Sequence, residues 1–357
     1  MIIHQWVPAA HHGDAVGDNA RLMRDILRQW GHTSDIFALT IDDALRDEIR
    51  PWGDAASRSA DVTIYHYAVP SPMTPAFGTL PGARVLHYHN VTPAHFFARY
   101  DAGITHMASE GRRQLSSLAD RTDLALGVSE YNREELDDLG FARTDVLPIV
   151  VNTERLRQAG PVRPLAHLLQ DGLTNILFVG RIAPNKCIED HIRLAEHYKR
   201  YVDIYYRFIF VGNYQAVPRY TATIRALINE YRMLPDRFWF TGPVPDAELA
   251  TYYRHAHAYL SLSEHEGFCV PLVEAMGMDV PVLAYGAAAV PETLGGAGVC
   301  FNPKDLEQAA EWLGALIYDQ PLRDAILAGQ RRRLAAFARP RLESRLRDVL
   351  AAVTEMS

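Results

Sequence analysis

The chain has 357 residues, 48% of them hydrophobic and 22% charged, with a formal charge of −7. That length exceeds one ordinary core, which stops growing near about 250 residues, so two domains are expected and a disordered chain is excluded. The acidic balance removes the electrostatic ground for general nucleic-acid binding, and Cys187, Cys269 and Cys300 lie too far apart for a disulfide framework or a thiolate zinc site.

Short apolar runs alternate with longer stretches of helical period, the pattern of strand-helix units and a parallel sheet. In the first half the runs predict strands over 2–7, 35–38, 62–67, 84–89, 124–128 and 146–150, with helices over 17–30 and 131–139. Between 152 and 174, Gly160, Pro161, Pro164 and Gly172 interrupt the periodicity and mark a hinge. Strands are then expected over 175–179, 206–211, 238–241, 258–262 and 281–284. Leu342, Leu346, Val349 and Leu350 recur at helical spacing near the end, which predicts a terminal helix. The expected domains are 1–160 and 161–339, with a terminal helix over 340–357. No apolar run approaches the roughly 18 residues of a membrane span, and the first residues read as a strand, so a cytoplasmic chain is expected.

The densest chemistry lies in Ser263-Glu264-His265-Glu266-Gly267-Phe268-Cys269-Val270-Pro271, which follows a strand and opens a helix. Proline suits the first helical turn, and a helix N-terminus offers unsatisfied N–H groups and a partial positive charge to a diphosphate. Glu266 is placed at the loop tip near a sugar, and Glu274 one turn into the helix, where it can accept from ribose hydroxyls. Gly267, Phe268, Cys269 and Val270 form the donor-binding turn, Gly267 allowing close backbone approach. A second cluster follows the strand at 175–179: Gly180 ends it, and Arg181 and Lys186 stand five residues apart on the next loop. A guanidinium fork and an ammonium point charge together suit a leaving diphosphate. The plain alternatives, solvated acids beside a helix and solvated surface cations, are outweighed by the two clusters falling at strand ends where α/β sheets bind ligands.

Glu266 and Glu274 with Arg181 and Lys186 resemble the motif of retaining glycosyltransferases of family four, whose Glu-x7-Glu pattern this spacing matches, and the resemblance runs over the whole chain. It implies an α/β GT-B architecture: two Rossmann-like domains facing each other across a cleft, 1–160 on the acceptor side and 161–339 for the nucleotide sugar, with the helix over 340–357 crossing back to the first domain. Val146-Leu147-Pro148 before Asn152, and Val128-Ser129-Glu130-Tyr131, are weaker similarities. The family further implies a glycine loop after the first strand and a histidine after a later one. Gly13 to Asp18 and His87-Tyr88-His89-Asn90 match those places, nominating Gly17 beside the donor phosphate and His89 beside the reacting sugar; His87, His4, His11 and His12 are weaker candidates. The chain departs from the pattern at Leu147-Pro148-Ile149-Val150-Val151-Asn152, which lacks an Asn-Gly step, and in its first loop, where Gly13 and Gly17 replace paired glycines.

The resemblance implies transfer of a hexose from GDP-mannose or a UDP-sugar to a glycan or lipid-linked glycan, as in bacterial polysaccharide or lipopolysaccharide assembly. The anomeric configuration would be kept by front-face attack, with Glu266 as a covalent nucleophile the lesser alternative. Absence of any Asp-x-Asp triplet removes the usual manganese signal, so metal independence and no cofactor are expected. A sugar-nucleotide epimerase and a noncatalytic nucleotide-sugar-binding protein are the competing classes. Dehydrogenases and P-loop enzymes are disfavoured, since neither Gly-x-Gly-x-x-Gly nor a Walker loop follows a predicted strand. Arg331-Arg332-Arg333, Arg339 and Arg341, and Arg112-Arg113 behind Phe96-Phe97, are patches for peripheral contact with an anionic membrane, or solvated helix ends.

Overall fold

The computed structural model describes residues 1–11 and 13–354, so His12 lies outside the described residues. The chain forms two compact units, one from Met1–His95, Gly103–Val150 and the stretch from Phe337 onward, the other from Phe96–Ala102 and Val151–Ala336.

The first unit is built on a seven-stranded sheet: β1 Ile3–Ala10, β2 Ile36–Ile41, β3 Arg50–Pro51, β4 Val62–Tyr67, β5 Ala83–Tyr88, β6 Leu124–Gly127 and β7 Thr144–Val146. All pairs are parallel and the order is β3-β2-β1-β4-β5-β6-β7. The connections therefore reverse direction between β1 and β4, the position at which open α/β sheets gather ligands. Asp14 caps the helix Ala15–Gln29 by accepting from the Gly17 amide. That helix lays Met23, Ile26 and Leu27 over Ile3, Ile64 and Val85 on one face of the sheet. The helix Arg339–Thr354 adds Leu342, Leu346, Val349, Leu350 and Val353 to the same core, so the chain's last helix completes the first unit.

The second unit repeats the plan with β8 Thr174–Val179, β9 Tyr206–Val211, β10 Phe238–Gly242, β11 Ala258–Ser261, β12 Val282–Tyr285 and β13 Val299–Phe301. Its six parallel strands run β10-β9-β8-β11-β12-β13, with the reversal between β8 and β11.

Most expected strands are present within one or two residues; β1 and β2 run three residues further than expected, to Ala10 and Ile41. The run at 146–150 gives its strand earlier, at Thr144–Val146, because Pro148 has no N–H to continue a ladder. β3, with only two residues, and β13, with three, are too short to show a period. The chain passes between units at Val150 and Val151, ahead of the interrupted stretch expected as the hinge, because Leu156 and Leu169 are already buried in the second unit's core.

Candidate active site

In the second unit the loops that leave β8 and β11 meet over the reversal point. Asn185 holds them together: its carbonyl accepts from the Glu264 amide at 2.9 Å and its side-chain amide donates to the His265 carbonyl at 3.0 Å. This clamp brings Lys186 Nζ within 2.6 Å of Glu266 Oε1, with the side chains 18% and 10% exposed. Glu266 is thus folded onto Lys186 and largely withdrawn from solvent. Arg181 is exposed, and among the described residues no hydrogen bond or ion pair engages it. Gly180 has φ of +151°, and the neighbouring Gly212 comes so close that a Cβ on it would strike the Gly180 carbonyl oxygen. Two glycines are needed where these strand ends turn out of the sheet.

The helix Val270–Gly277 starts beside this pair, with Pro271 in its first turn. Its N-cap Cys269 is left-handed, at φ of 70°, and supplies no side-chain acceptor to the first-turn amides. Phe268 and Cys269 are buried; Thr293 Oγ1 donates to the Phe268 carbonyl at 2.5 Å and holds the turn. Burial and the neighbouring Glu266 push the Cys269 thiol well above its ordinary range, so the thiol stays protonated. Glu274, 4% exposed, receives Arg155 Nη2 on Oε1 at 2.7 Å and the Tyr253 hydroxyl on Oε2 at 3.1 Å. Burial raises its pKa even so, with Arg155 and Tyr253 pulling the other way. Arg155, Tyr253 and Asn185 were not legible from the motifs: Arg155 lies 119 residues from Glu274, and no local spacing links them.

In the first unit His66, His87 and His89 stand together at the carboxyl ends of β4 and β5. His66 pairs with His87 in register, and the rings of His87 and His89 are 4.3 Å apart. Burial holds all three well below the ordinary imidazole range, His87 at about 4. His66, not singled out by the motifs, is as buried as His87. His4 and His11 make local bonds, with the Asp35 amide and with Asp42. The Gly17 amide is taken by Asp14 Oδ2 at 3.2 Å, and a Cβ there would meet only ordinary contacts at 3.8 Å.

Two clusters of metal-ligating side chains occur among the described residues: His66 with His87 and His89, and Cys187 with Asp190 and Glu264. In the second, the Lys304 ammonium already bridges Asp190 at 2.6 Å and Glu264 at 3.0 Å. In the first, His66 spends both ring nitrogens on hydrogen bonds, to Gln5 and His89. The basic patches are largely paired as well. Arg331 binds Asp279, Arg333 the Glu292 and Thr293 carbonyls, Arg339 Glu343, Arg112 Glu135 and Arg113 Glu110; Phe337 and Phe97 are buried. Among the described residues no helix is long and apolar enough to cross a membrane.

Against this geometry, residues 166–333 match the family model of glycosyl transferases group 1, a span that covers β8 to β13 and every residue of the second-unit site except Arg155. The match marks the second half of the chain as similar to a group 1 glycosyl transferase domain, of the family-four type. The D-inositol 3-phosphate glycosyltransferase of Streptosporangium roseum is 28% identical over 256 residues, 68% of this chain and 57% of that protein. A GDP-mannose-dependent alpha-mannosyltransferase of Mycolicibacterium smegmatis is 30% identical over 249 residues, 66% of this chain and 59% of that one. The matches thus span under two thirds of these curated relatives. Among solved structures, Anabaena HepE in complex with UDP-glucose aligns over 99% of this chain and 100% of its own, with a TM-score of 0.77 at 15% identity. WaaG, a glycosyltransferase involved in lipopolysaccharide biosynthesis, aligns over 98% and 99% with a TM-score of 0.72 at 14% identity. Such likeness establishes the fold, an α/β GT-B architecture with two Rossmann-like domains, and the transferase domain sits in it as the second unit.

Proposed function

We propose that the protein is a retaining hexosyltransferase that takes its sugar from GDP-mannose or a UDP-sugar and passes it to a glycan or lipid-linked glycan in cell-surface polysaccharide assembly. One observation carries the reading: inside a group 1 transferase domain, Lys186 and Glu266 pair at 2.6 Å where β8 and β11 diverge, beside an N-terminus whose cap residue supplies no acceptor. A diphosphate arriving there would take Lys186 from Glu266, add Arg181, and meet the first-turn amides. Charge developing on the departing phosphate would be stabilised by those same groups, and Glu266, released, would orient sugar hydroxyls. Glu274, held by Arg155 and Tyr253, retains lone pairs for ribose hydroxyls. The names of the mannosyltransferase relative and of the UDP-glucose complex support both donor bases. Metal-independent turnover is part of the proposal, since two cations and a helix end supply the positive charge. Peripheral membrane contact is the least supported part, because most of the arginines offered for it are already paired.

The test is turnover of GDP-mannose and UDP-hexoses with alkyl glycosides as acceptors, followed by proton NMR, with and without EDTA. Nucleotide release with an axially linked product, unchanged by EDTA, is expected. An epimerised donor formed without acceptor would assign the epimerase reading instead. Donor binding with neither transfer nor hydrolysis would make the chain a noncatalytic binder.

A further inference from the structure

The histidine cluster contains a hydrogen-bond chain whose polarity can be read from one end. Gln5 on β1 donates its Nε2 amide to the Ala20 carbonyl at 3.0 Å, and a carbonyl only accepts. The amide is therefore oriented with Oε1 toward His66; the reversed amide would set two oxygens against each other. His66 Nε2 lies 2.9 Å from that Oε1 and must carry a proton. His66 is fully buried among uncharged groups and neutral, so it has one N–H, already used, and its Nδ1 is a bare acceptor. His89 Nε2 stands 2.9 Å from this Nδ1 and must donate. Strand register makes the chain possible. Gln5 pairs with Ile64 and His66 with His87, and side chains two residues apart share a face, so Gln5, His66, His87 and His89 all lie on the face covered by the helix Ala15–Gln29.

We infer that Gln5 and His66 are positioning residues that lock His89 as the neutral Nε2–H tautomer, so that its Nδ1 can only accept a hydrogen bond. That Nδ1 is buried and has no hydrogen-bond partner among the described residues, and the same holds for His87 Nδ1, whose Nε2 donates to the Leu147 carbonyl at 2.9 Å. Two bare ring nitrogens thus lie on neighbouring rings whose centroids are 4.3 Å apart. A group that meets His89 Nδ1 must donate, as a hydroxyl of a sugar or a water does; a phosphate oxygen or a sugar ring oxygen has no proton to offer. The inference rests on the proposed function only where it makes the hydroxyl a sugar's.

The experiment is nitrogen-15 NMR of the histidine rings in the full chain at pH 7, with His89 assigned by its disappearance in His89→Gln. The protonated-nitrogen shift is expected at Nε2 and the bare-nitrogen shift at Nδ1. Gln5→Leu removes the orienting acceptor, and both His89 signals should move toward each other as tautomers mix. His66→Phe removes the acceptor that faces His89 Nε2 and should mix the His89 tautomers in the same way, which keeps the test open should the Gln5→Leu chain fail to fold. A proton on His89 Nδ1 in the wild type, or His89 signals unmoved in a folded Gln5→Leu, overturns the inference. Titrating UDP and GDP into the same sample separates the two ideas. Nucleotide that leaves every resonance unmoved counts against the transferase reading, while the tautomer result stands alone; a donor sugar that moves His89 Nδ1 upholds both.

Discussion

Lys186 and Glu266 are both mostly withdrawn from water, and such a pair adds little to stability while its loss is costly. Lys186→Ala leaves a largely buried carboxylate without its cation, and urea unfolding should show the second unit destabilised by roughly 1–3 kcal/mol. Adding Glu266→Gln should return most of that loss; a double variant as unstable as the single one would show that the pair is not coupled. The sequence exposed the identity of these residues but not their state. Glu266, Glu274, Arg181 and Lys186 were legible because their types and spacing carry chemistry within one short segment each. That Glu266 folds onto Lys186, and that Arg155 closes on Glu274, depends on contacts 80 and 119 residues apart. Here the Asn185 clamp to His265 sets the first distance, and asparagine in a loop has no signature of that task.

At the level of elements, the site depends on two strand ends turning out together. A Cβ on Gly212 would strike the Gly180 carbonyl, backbone against backbone, where neither side can rotate away. Gly212→Ala should therefore shift the loop bearing Arg181 and Lys186 and cost about 1–3 kcal/mol. Circular dichroism melts and nucleotide titration check it, and a variant with unchanged melting and binding would show that the loop has slack. The terminal helix is the other dependence. Leu346 is fully buried against the first unit's core, so Leu346→Ala should destabilise that unit by about 2–5 kcal/mol, measured by urea unfolding; a loss under roughly 1 kcal/mol would mean the helix is not integral to it. Strands of four or more residues were readable from their apolar runs, whereas β3 and β13 were not, because two or three residues carry no period. Around Gly17 the sequence places the loop but not its bonding: Asp14 accepts from the Gly17 amide to cap the helix, a bond that is invisible until the turn is formed.

Across the whole molecule, two sheets with the same reversal of strand order each join polar groups across it, Gln5 of β1 to His66 of β4 in one and a lysine-glutamate pair from the loops after β8 and β11 in the other. The histidines make acid sensitivity a property of the fold. His66, His87 and His89 have folded pKa values below the ordinary 6.5, and His4, His191 and His257 shift the same way. Below pH 6.5 the unfolded chain binds more protons than the folded one. Their contribution is therefore complete above that pH and is lost as pH falls toward about 4, the value for His87 and His191. Melting temperature should drop from pH 6.5 to pH 5, before most carboxylates titrate, and a flat profile would contradict these shifts. The central claim is that the second unit holds a nucleoside diphosphate at Arg181, Lys186 and the helix Val270–Gly277, and its most direct test is thermal stabilisation by UDP, GDP and their sugars in wild type and Arg181→Ala. Arg181 is exposed, so its removal should leave the fold intact. Stabilisation of the wild type by one nucleotide class, reduced in Arg181→Ala at equal starting stability, is the predicted result; no stabilisation by any of these ligands, or equal stabilisation of both proteins, would contradict it.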